Sequence, residues 1–226
     1  VFGNFRDFLH AVARSTSMQI YLDNWLSRAT TPNENYSREV LELHTLGADV
    51  YLGIVNSDAP SVQAGPYLVT AGFTDADITQ ASRALSGWTV ANGQYVSAGK
   101  VLPMTGEFAY DAAMHNTQAG MFMGMDLSKL TNAMAQGNRV LDIAAYHPAT
   151  AKFICKKLCT RIFGEGYPQN AYIRAYNAWM NNQDMPNQIA QVLRAILVDS
   201  NEIGVLPATK LRRPYEHLIA LFRTTD

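Results

Sequence analysis

Residues 31–47 read TPNENYSREVLELHTLG and carry a clear pattern for a helix and its two ends. Thr31 is a candidate N-cap, and Pro32 suits the first helical position because that position needs no backbone donor. Apolar residues then recur three and four positions apart, which is the spacing of one buried helical face. Gly47 is a typical residue just beyond a helix end. The stretch therefore predicts a helix from Pro32 to Leu46.

The same apolar spacing recurs on both sides of this stretch and predicts further helices. Thr74 and Asp77 form a capping-box pattern before a short helix that Gly87 would end. The other helices are expected at residues 5–12, 18–25, 127–134, 140–146, 148–163, 171–180, 186–198 and 214–222.

Two stretches lack the helical period. Residues 48–72 contain Gly and Pro without sustained periodicity, which indicates an irregular insertion or loop. Residues 88–110 consist of short apolar pieces broken by Asn-Gly and single Gly residues, a pattern that favours a β-hairpin. We therefore expect residues 1–226 to form a single helical domain: mainly α, an irregular multi-helix domain with a minor β-hairpin.

Composition excludes several classes of partner. The chain has 18 basic and 19 acidic side chains and a formal net charge of -1, so nucleic acid is not an expected partner. No apolar run approaches the roughly 20 residues that cross a bilayer, so we expect no transmembrane segment. Charged residues make up only 16% of the chain, a balance that favours an exported protein.

The two cysteines, Cys155 and Cys159, lie four positions apart in a predicted helix. Their Cβ atoms would then be about 5–6 Å apart, whereas a disulfide needs roughly 3.5–4.5 Å. The sequence offers no second Cys-Cys or Cys-His pair to complete a metal site with them. We therefore interpret both as buried thiols of the core.

Five motifs in a fixed order indicate a known family. They occupy residues 33–47, 72–88, 147–158, 193–197 and 210–216. Together they make the chain resemble the bacterial domain-of-unknown-function family eighteen hundred. Members of that family are about twice as long, so the resemblance implies that this chain is the C-terminal half of a member and that an N-terminal half is missing.

The resemblance implies a mostly helical, often exported bacterial protein, frequently encoded beside secreted proteins similar to alkaline phosphatases and sulfatases. It implies no established reaction, and it leaves the cofactor unknown. Two departures from the family pattern stand out. Relatives commonly carry His-Asp and a following Lys, where this chain has His115-Asn116 and then Gly120. Residues 51–66 look like an insertion.

One hypothesis for the residue 31–47 helix is a catalytic or metal site. Asn35, Glu39 and Glu42 fall along one helical face, because positions three and four apart are neighbours. Two converging carboxylates could serve as acid and base or bind a divalent cation, and His115 from a facing loop could complete the set. Glu39, Glu42 and His115 are therefore the candidate catalytic residues.

The alternative hypothesis, which we favour, is a structural or binding network. Arg38 lies four positions from both Glu34 and Glu42, so charge pairing between helices explains the same residues without a metal. On this interpretation Arg38→Ala should lower thermal stability sharply. Further members come from the later motifs, and we assign them structural or binding roles: His147, as a cap for the next helix, Lys157, Arg213 and Glu216.

Two functions follow from these hypotheses. The first is a non-catalytic, exported structural or binding component of the cell envelope or of an extracellular assembly, whose partner is another protein or the missing N-terminal half. The alternative is a carboxylate-dependent, metal-assisted hydrolase acting on an envelope polymer. No phosphate-binding Gly-rich loop, Gly-x-Ser-x-Gly elbow or His-Glu-x-x-His motif occurs in the sequence, which favours the first.

Overall fold

A computed structural model of the chain describes residues 2–54, 58–97, 99–130, 132–198 and 214–225. The fold is mainly α with minor antiparallel strand pairs, which confirms the predicted class. The helices are α1 (Phe5–Ala13), α2 (Thr16–Tyr21), α3 (Glu34–Glu39), α4 (Asp75–Leu85), α5 (Ala133–Tyr146), α6 (Pro148–Phe163), α7 (Gln169–Asn181), α8 (Gln188–Leu197) and α9 (Pro214–Thr225).

Short strands form separate antiparallel pairs in the middle of the chain. They are β1 (Ser61–Ala64) with β2 (Tyr67–Thr70), β3 (Trp88–Asn92) with β6 (Met104–Tyr110), β4 (Tyr95–Ser97) with β5 (Lys100–Val101), and β7 (Met121–Phe122) with β8 (Met125–Asp126). The β3–β6 pair confirms the hairpin predicted at residues 88–110. The β1–β2 hairpin lies within residues 48–72, where the sequence showed no sustained period.

Trp88, at the start of β3, is among the largest fully buried side chains of the core. Its side chain is fully buried and packs edge-on against Phe108 of β6, with ring centroids 5.4 Å apart. Gly137 of α5 passes so close that a Cβ there would lie 2.7 Å from the Trp88 ring. This close approach seats the hairpin directly on α5.

The helix predicted from Pro32 to Leu46 is shorter and less regular than expected. Its N-cap is Asn33, whose side chain accepts the backbone N–H of Tyr36, so the prediction of Thr31 as the cap was wrong. After α3 the chain widens into a π-helix over Val40–His44. Gly47 ends the segment with a φ of +91°, as the sequence predicted. The π-helix becomes one wall of the candidate site.

Most of the other predicted helices are found with shifted limits. The Thr74–Asp77 capping box of α4 is present, and Gly87 follows that helix with a φ of +79°. The helix expected at residues 127–134 is instead a 3-10 turn at Leu127–Lys129, and α5 begins only at Ala133 after Asn132 caps it. Apolar spacing alone does not distinguish the two forms.

Cys155 and Cys159 lie on the buried face of α6 and are both free, as the sequence predicted. Burial raises the pKa of each thiol, to about 11 for Cys159. The thiol form is therefore the stable one at neutral pH. In the part of the chain that the structure describes, no helix has the combined length and apolar character needed to cross a bilayer.

Candidate functional site

A cleft of about 660 Å³ opens between the π-helix and α6. Five of its ten lining residues belong to two of the sequence motifs, residues 33–47 and 147–158. The lining residues are Glu42, Leu43, Ala48, Asp49, Phe153, Lys156, Lys157, Thr160, Arg161 and Glu165. We call this the α6 cleft. Its volume lies within the range of roughly 300–1,000 Å³ that is usual for ligand pockets.

The π-helical wall has an unusual arrangement of backbone carbonyls. A π-turn pairs residues five apart, which leaves carbonyls displaced from their α-helical partners. The hydroxyl of Thr45 donates to the carbonyl of Val40 at 2.6 Å, and Lys157 Nζ donates to the carbonyl of Leu43 at 3.1 Å. The lysine thus links α6 to the end of the π-helix across the cleft.

The floor of the α6 cleft is apolar. Phe153 lies beneath the Lys157 ammonium, which sits 4.1 Å from the centre of the phenyl ring. A Cβ at Gly47 would lie 2.7 Å from the same ring, so only glycine fits there without displacing it. The side chain of Leu43 is half exposed beside it. An apolar group entering the cleft would meet both side chains.

The rim of the cleft carries both signs of charge. Lys156, Lys157 and Arg161 lie on α6, while Glu42 and Asp49 face them from the other wall. Arg161 pairs with Glu216 of α9 at 3.2 Å, which brings the last helix to the same rim. Glu216, a predicted network residue, therefore contributes by pairing. Arg213, its predicted companion, lies outside the described residues.

The predicted Arg38 network has a different main partner. Arg38 Nη2 lies 2.8 Å from Asp75 of α4, and Nη1 lies 3.9 Å from Glu42. The hydrogen bonds from Arg38 and Tyr51 lower the pKa of Asp75 below its ordinary value. The side chains of Arg38 and Asp75 are each 38% exposed. The pair lies at the surface, so the effect expected for Arg38→Ala is small rather than sharp.

The structure records no contact of the Arg38–Asp75 pair with Glu34, Asn35 or Glu39. Glu34 accepts a hydrogen bond from the hydroxyl of Thr79 at 2.8 Å, and Asn35 is exposed. Glu39 is half-buried near His44. Burial lowers the pKa of His44, and the Glu39 carboxylate opposes that shift. The helical face predicted from spacing is therefore divided among separate contacts.

His115 lies in the core, away from the α6 cleft. Its Nδ1 donates to the carbonyl of Ser86 at 2.9 Å, and its Nε2 is 3.1 Å from Oε1 of Gln136. The residue is 5% exposed, so both ring nitrogens are occupied inside the protein. Asn116, which stands where relatives carry Asp, donates its amide to the carbonyl of Ala29. Among the described residues, no three His, Cys, Asp or Glu side chains are placed to hold a metal ion.

His147 caps α6 as the sequence suggested. Its Nδ1 accepts the backbone N–H of Ala149 at 3.1 Å, and its Nε2 donates to the carbonyl of Thr70 at 3.0 Å. This arrangement requires the neutral ring, and burial lowers the pKa of His147 accordingly. The histidine therefore sets the start of the helix that carries the cleft residues.

Sequence reasoning named Glu42 and Lys157 but missed the other α6 residues of the cleft. Phe153, Lys156, Thr160 and Arg161 follow the spacing of one helical face, which was available as a signal. The facing wall, formed by the π-helix, could not be predicted in this way, because a π-turn has no distinct sequence pattern.

Comparison with known families places the chain in one of them. A family model described as "Protein of unknown function (DUF1800)" matches residues 1–226. The chain belongs to this family. Membership confirms the resemblance that the five motifs indicated, and two of those motifs, residues 33–47 and 147–158, meet at the α6 cleft. No match was found among curated proteins or among solved structures.

Proposed function

We propose that this protein is a non-catalytic binding component, and that the α6 cleft receives a segment of a partner protein. The observation that carries the proposal is the combination of an apolar floor at Phe153 and Leu43 with a rim of both charges. Protein interfaces commonly place an apolar anchor side chain in such a pocket and surround it with polar contacts.

The mixed rim favours a peptide over a small anion. Lysine and arginine on α6 are matched by Glu42, Asp49 and Glu165, so the cleft has no large excess of either charge. A peptide with one apolar anchor flanked by polar or charged residues would satisfy both the floor and the rim. The Lys157 contact with the Leu43 carbonyl spans the two walls, and a partner peptide could accept from the same ammonium group.

The hydrolase alternative needed Glu39, Glu42 and His115 around one pocket. His115 is buried against Ser86 and Gln136, and the α6 cleft does not include it. We therefore advance the binding function alone.

The binding proposal can be tested with a displayed library of random peptides selected on the purified chain. Selected peptides should share an apolar anchor residue. Leu43→Glu should weaken their binding at least about tenfold, because it places a charge where the anchor would pack. Leu68→Glu is the matched control, since Leu68 is 63% exposed in β2 and does not line the cleft. Peptides that bind wild type and Leu43→Glu equally would refute the proposal.

We further propose that the protein acts outside the cytoplasm, in the cell envelope or an extracellular assembly. The low charged fraction of 16% and the family resemblance support this location. The test is a reporter enzyme that matures only after export, fused behind the complete native protein. An active reporter is expected. A stable fusion with an inactive reporter would contradict export.

A further inference from the structure

A second groove lies between α1 and α5, and no feature of the α6 cleft contributes to it. Its volume is about 360 Å³. The lining residues are Arg6, Asp7, His10, Ala11, Arg14 and Asn138. Arg6, His10 and Arg14 are four positions apart, so they share one face of α1 and its C-cap. Three basic side chains therefore face the groove from consecutive helical turns.

Asp142 of α5 holds the histidine in one orientation. One carboxylate oxygen lies 2.7 Å from His10 Nε2 and 2.7 Å from Arg6 Nε. Burial alone would raise the pKa of Asp142, but the hydrogen bonds from His10 and Arg6 outweigh it and keep the pKa below its ordinary value. The carboxylate is thus ionised and accepts only, so Nε2 of His10 carries the hydrogen.

This orientation directs the other ring nitrogen toward the groove. No hydrogen-bond partner of His10 Nδ1 is found among the described residues. The atom is not completely buried either, and His10 lines the groove. Nδ1 is therefore accessible from the groove. In a neutral ring whose Nε2 carries the hydrogen, Nδ1 is a hydrogen-bond acceptor.

One cation of the groove has no carboxylate partner. Arg6 pairs with Asp142 and lies 3.7 Å from Asp7. Arg14 donates to Oδ1 of Asn138 at 2.6 Å and stacks over the Trp88 ring at 5.5 Å. Within the described part of the chain, no carboxylate lies within ion-pair distance of Arg14. The two guanidinium groups and two carboxylates balance overall, but both carboxylates pair with Arg6, so an anion in the groove would give Arg14 the charged partner that it lacks.

We propose that the α1–α5 groove binds a small oxyanion that also carries a hydroxyl group, with Arg14 holding the oxyanion and His10 accepting the hydroxyl hydrogen. Two sources share this chemistry, namely hydrogen phosphate and a hydroxycarboxylate. A pairing of α1 with α5 alone would explain Arg6, His10 and Asp142. It would leave the Arg14 charge and the open Nδ1 without a role.

The test is a titration of the purified chain that is monitored through the NMR signals of the His10 ring. The titration is carried out at a pH at which the chemical shifts of this ring show that it is neutral. The probes are inorganic phosphate and glycolate. Sulfate and acetate are the matched controls, because they lack the hydroxyl group. Saturable shifts are expected with phosphate, glycolate or both, and binding at least about tenfold weaker with sulfate and acetate. Whichever of phosphate and glycolate binds more tightly identifies the source of the oxyanion.

Arg14→Gln should weaken binding of the preferred probe at least about tenfold, because one charge-assisted contact is lost. Arg83→Gln is the control, since Arg83 lies on α4 and donates to the carbonyl of Gln118. If Arg14→Gln does not fold, Arg14→Lys is titrated in the same way, and His10→Gln, which lacks the reporting ring, is titrated by calorimetry beside wild type. Arg14→Lys should retain binding, and His10→Gln should lose the preference for hydroxyl-bearing probes. No saturable shift with any probe, or equal binding by Arg14→Gln and wild type, would overturn the proposal.

Discussion

His147 shows how a single side chain can couple two parts of the fold. Its two ring nitrogens satisfy the start of α6 and the carbonyl of Thr70 at the end of β2. The acceptor role of Nδ1 needs the neutral ring, and protonation would place a second hydrogen against the N–H of Ala149. The helix that carries the cleft residues therefore depends on the charge state of this histidine.

Stability should fall as the pH is lowered from 7.5 to 5.5. Burial lowers the pKa of His147 in the folded chain, so the unfolded chain takes up the proton first, below its ordinary value of about 6.5. The stabilisation is complete above that value and is lost on acidification. His44 shifts in the same direction. Denaturant unfolding of His147→Asn, which keeps a capping side chain but does not titrate, should show a smaller pH effect than wild type.

The control for this experiment is His217→Asn, because His217 is exposed on α9. Its pH effect should equal that of wild type. The shifted aspartates titrate at lower pH and do not interfere above pH 5. An equal pH effect in His147→Asn and wild type would show that the cap does not contribute to the pH dependence.

Gly137→Ala sets helix propensity against packing. Alanine in a helix is favoured over glycine by about 1 kcal/mol. Its Cβ would lie 2.7 Å from Cζ2 of Trp88 and 3.0 Å from the carbonyl oxygen of Ala84. Overpacking in a rigid core costs roughly 1–3 kcal/mol, so after the helical gain we expect a net loss of up to about 2 kcal/mol in the free energy of unfolding measured with denaturant. Gly166→Ala is the control, since a Cβ there meets nothing within 4 Å. A more stable Gly137→Ala would contradict the close packing of α5 on β3.

At the scale of elements, the π-helix depends on Thr45. This side chain is fully buried, and its hydroxyl donates to the carbonyl of Val40. Thr45→Val keeps the shape but removes the hydroxyl donor to that carbonyl, which costs about 0.5–1.5 kcal/mol. Thr45→Ser, which keeps the hydroxyl, should lose less. The measurement is the free energy of unfolding of both variants, and the π-helix account fails if valine is tolerated better than serine.

Local signals predicted some elements well and others poorly. The capping box of α4 and the cap of α6 depend on residues within three positions, so the sequence contained them. The π-helix did not follow from the pattern, because its apolar residues have nearly the same spacing as those of an α-helix. The 3-10 turn at Leu127–Lys129 was predicted as helix for the same reason. Which form the backbone takes is decided by the surrounding packing.

The site could be predicted only where both partners lie on one helix. The pairing of Arg38 with Glu42 followed from a spacing of four, but the closer partner, Asp75, lies on another helix. The groove between α1 and α5 was missed because His10 and Asp142 are 132 positions apart. The basic spacing of Arg6, His10 and Arg14 was visible, and only the fold shows what faces it.

At the scale of the whole molecule, α1 ties the beginning of the described chain to α7 and α8. The backbone N–H of Phe5 donates to Oε1 of Gln188 at 3.0 Å, and the N–H of Ile189 donates to the carbonyl of Gly3 at 3.0 Å. The ring of Phe5 packs on Trp179 with centroids 4.9 Å apart. These contacts join residues more than 170 positions apart, so the helices that they connect should unfold together.

Phe5→Ala tests this coupling. Phe5 is 6% exposed, and truncating a buried phenylalanine costs about 3–5 kcal/mol. Phe8→Ala is the matched control on the same helix, because Phe8 is 50% exposed and its loss should cost about 0.5 kcal/mol or less. Tryptophan fluorescence and far-UV circular dichroism should report one transition in each variant, shifted together in Phe5→Ala. If the midpoint of the fluorescence transition moved while that of the circular dichroism transition did not, α1 would contact α7 and α8 without belonging to the cooperative unit, and the coupling would be contradicted.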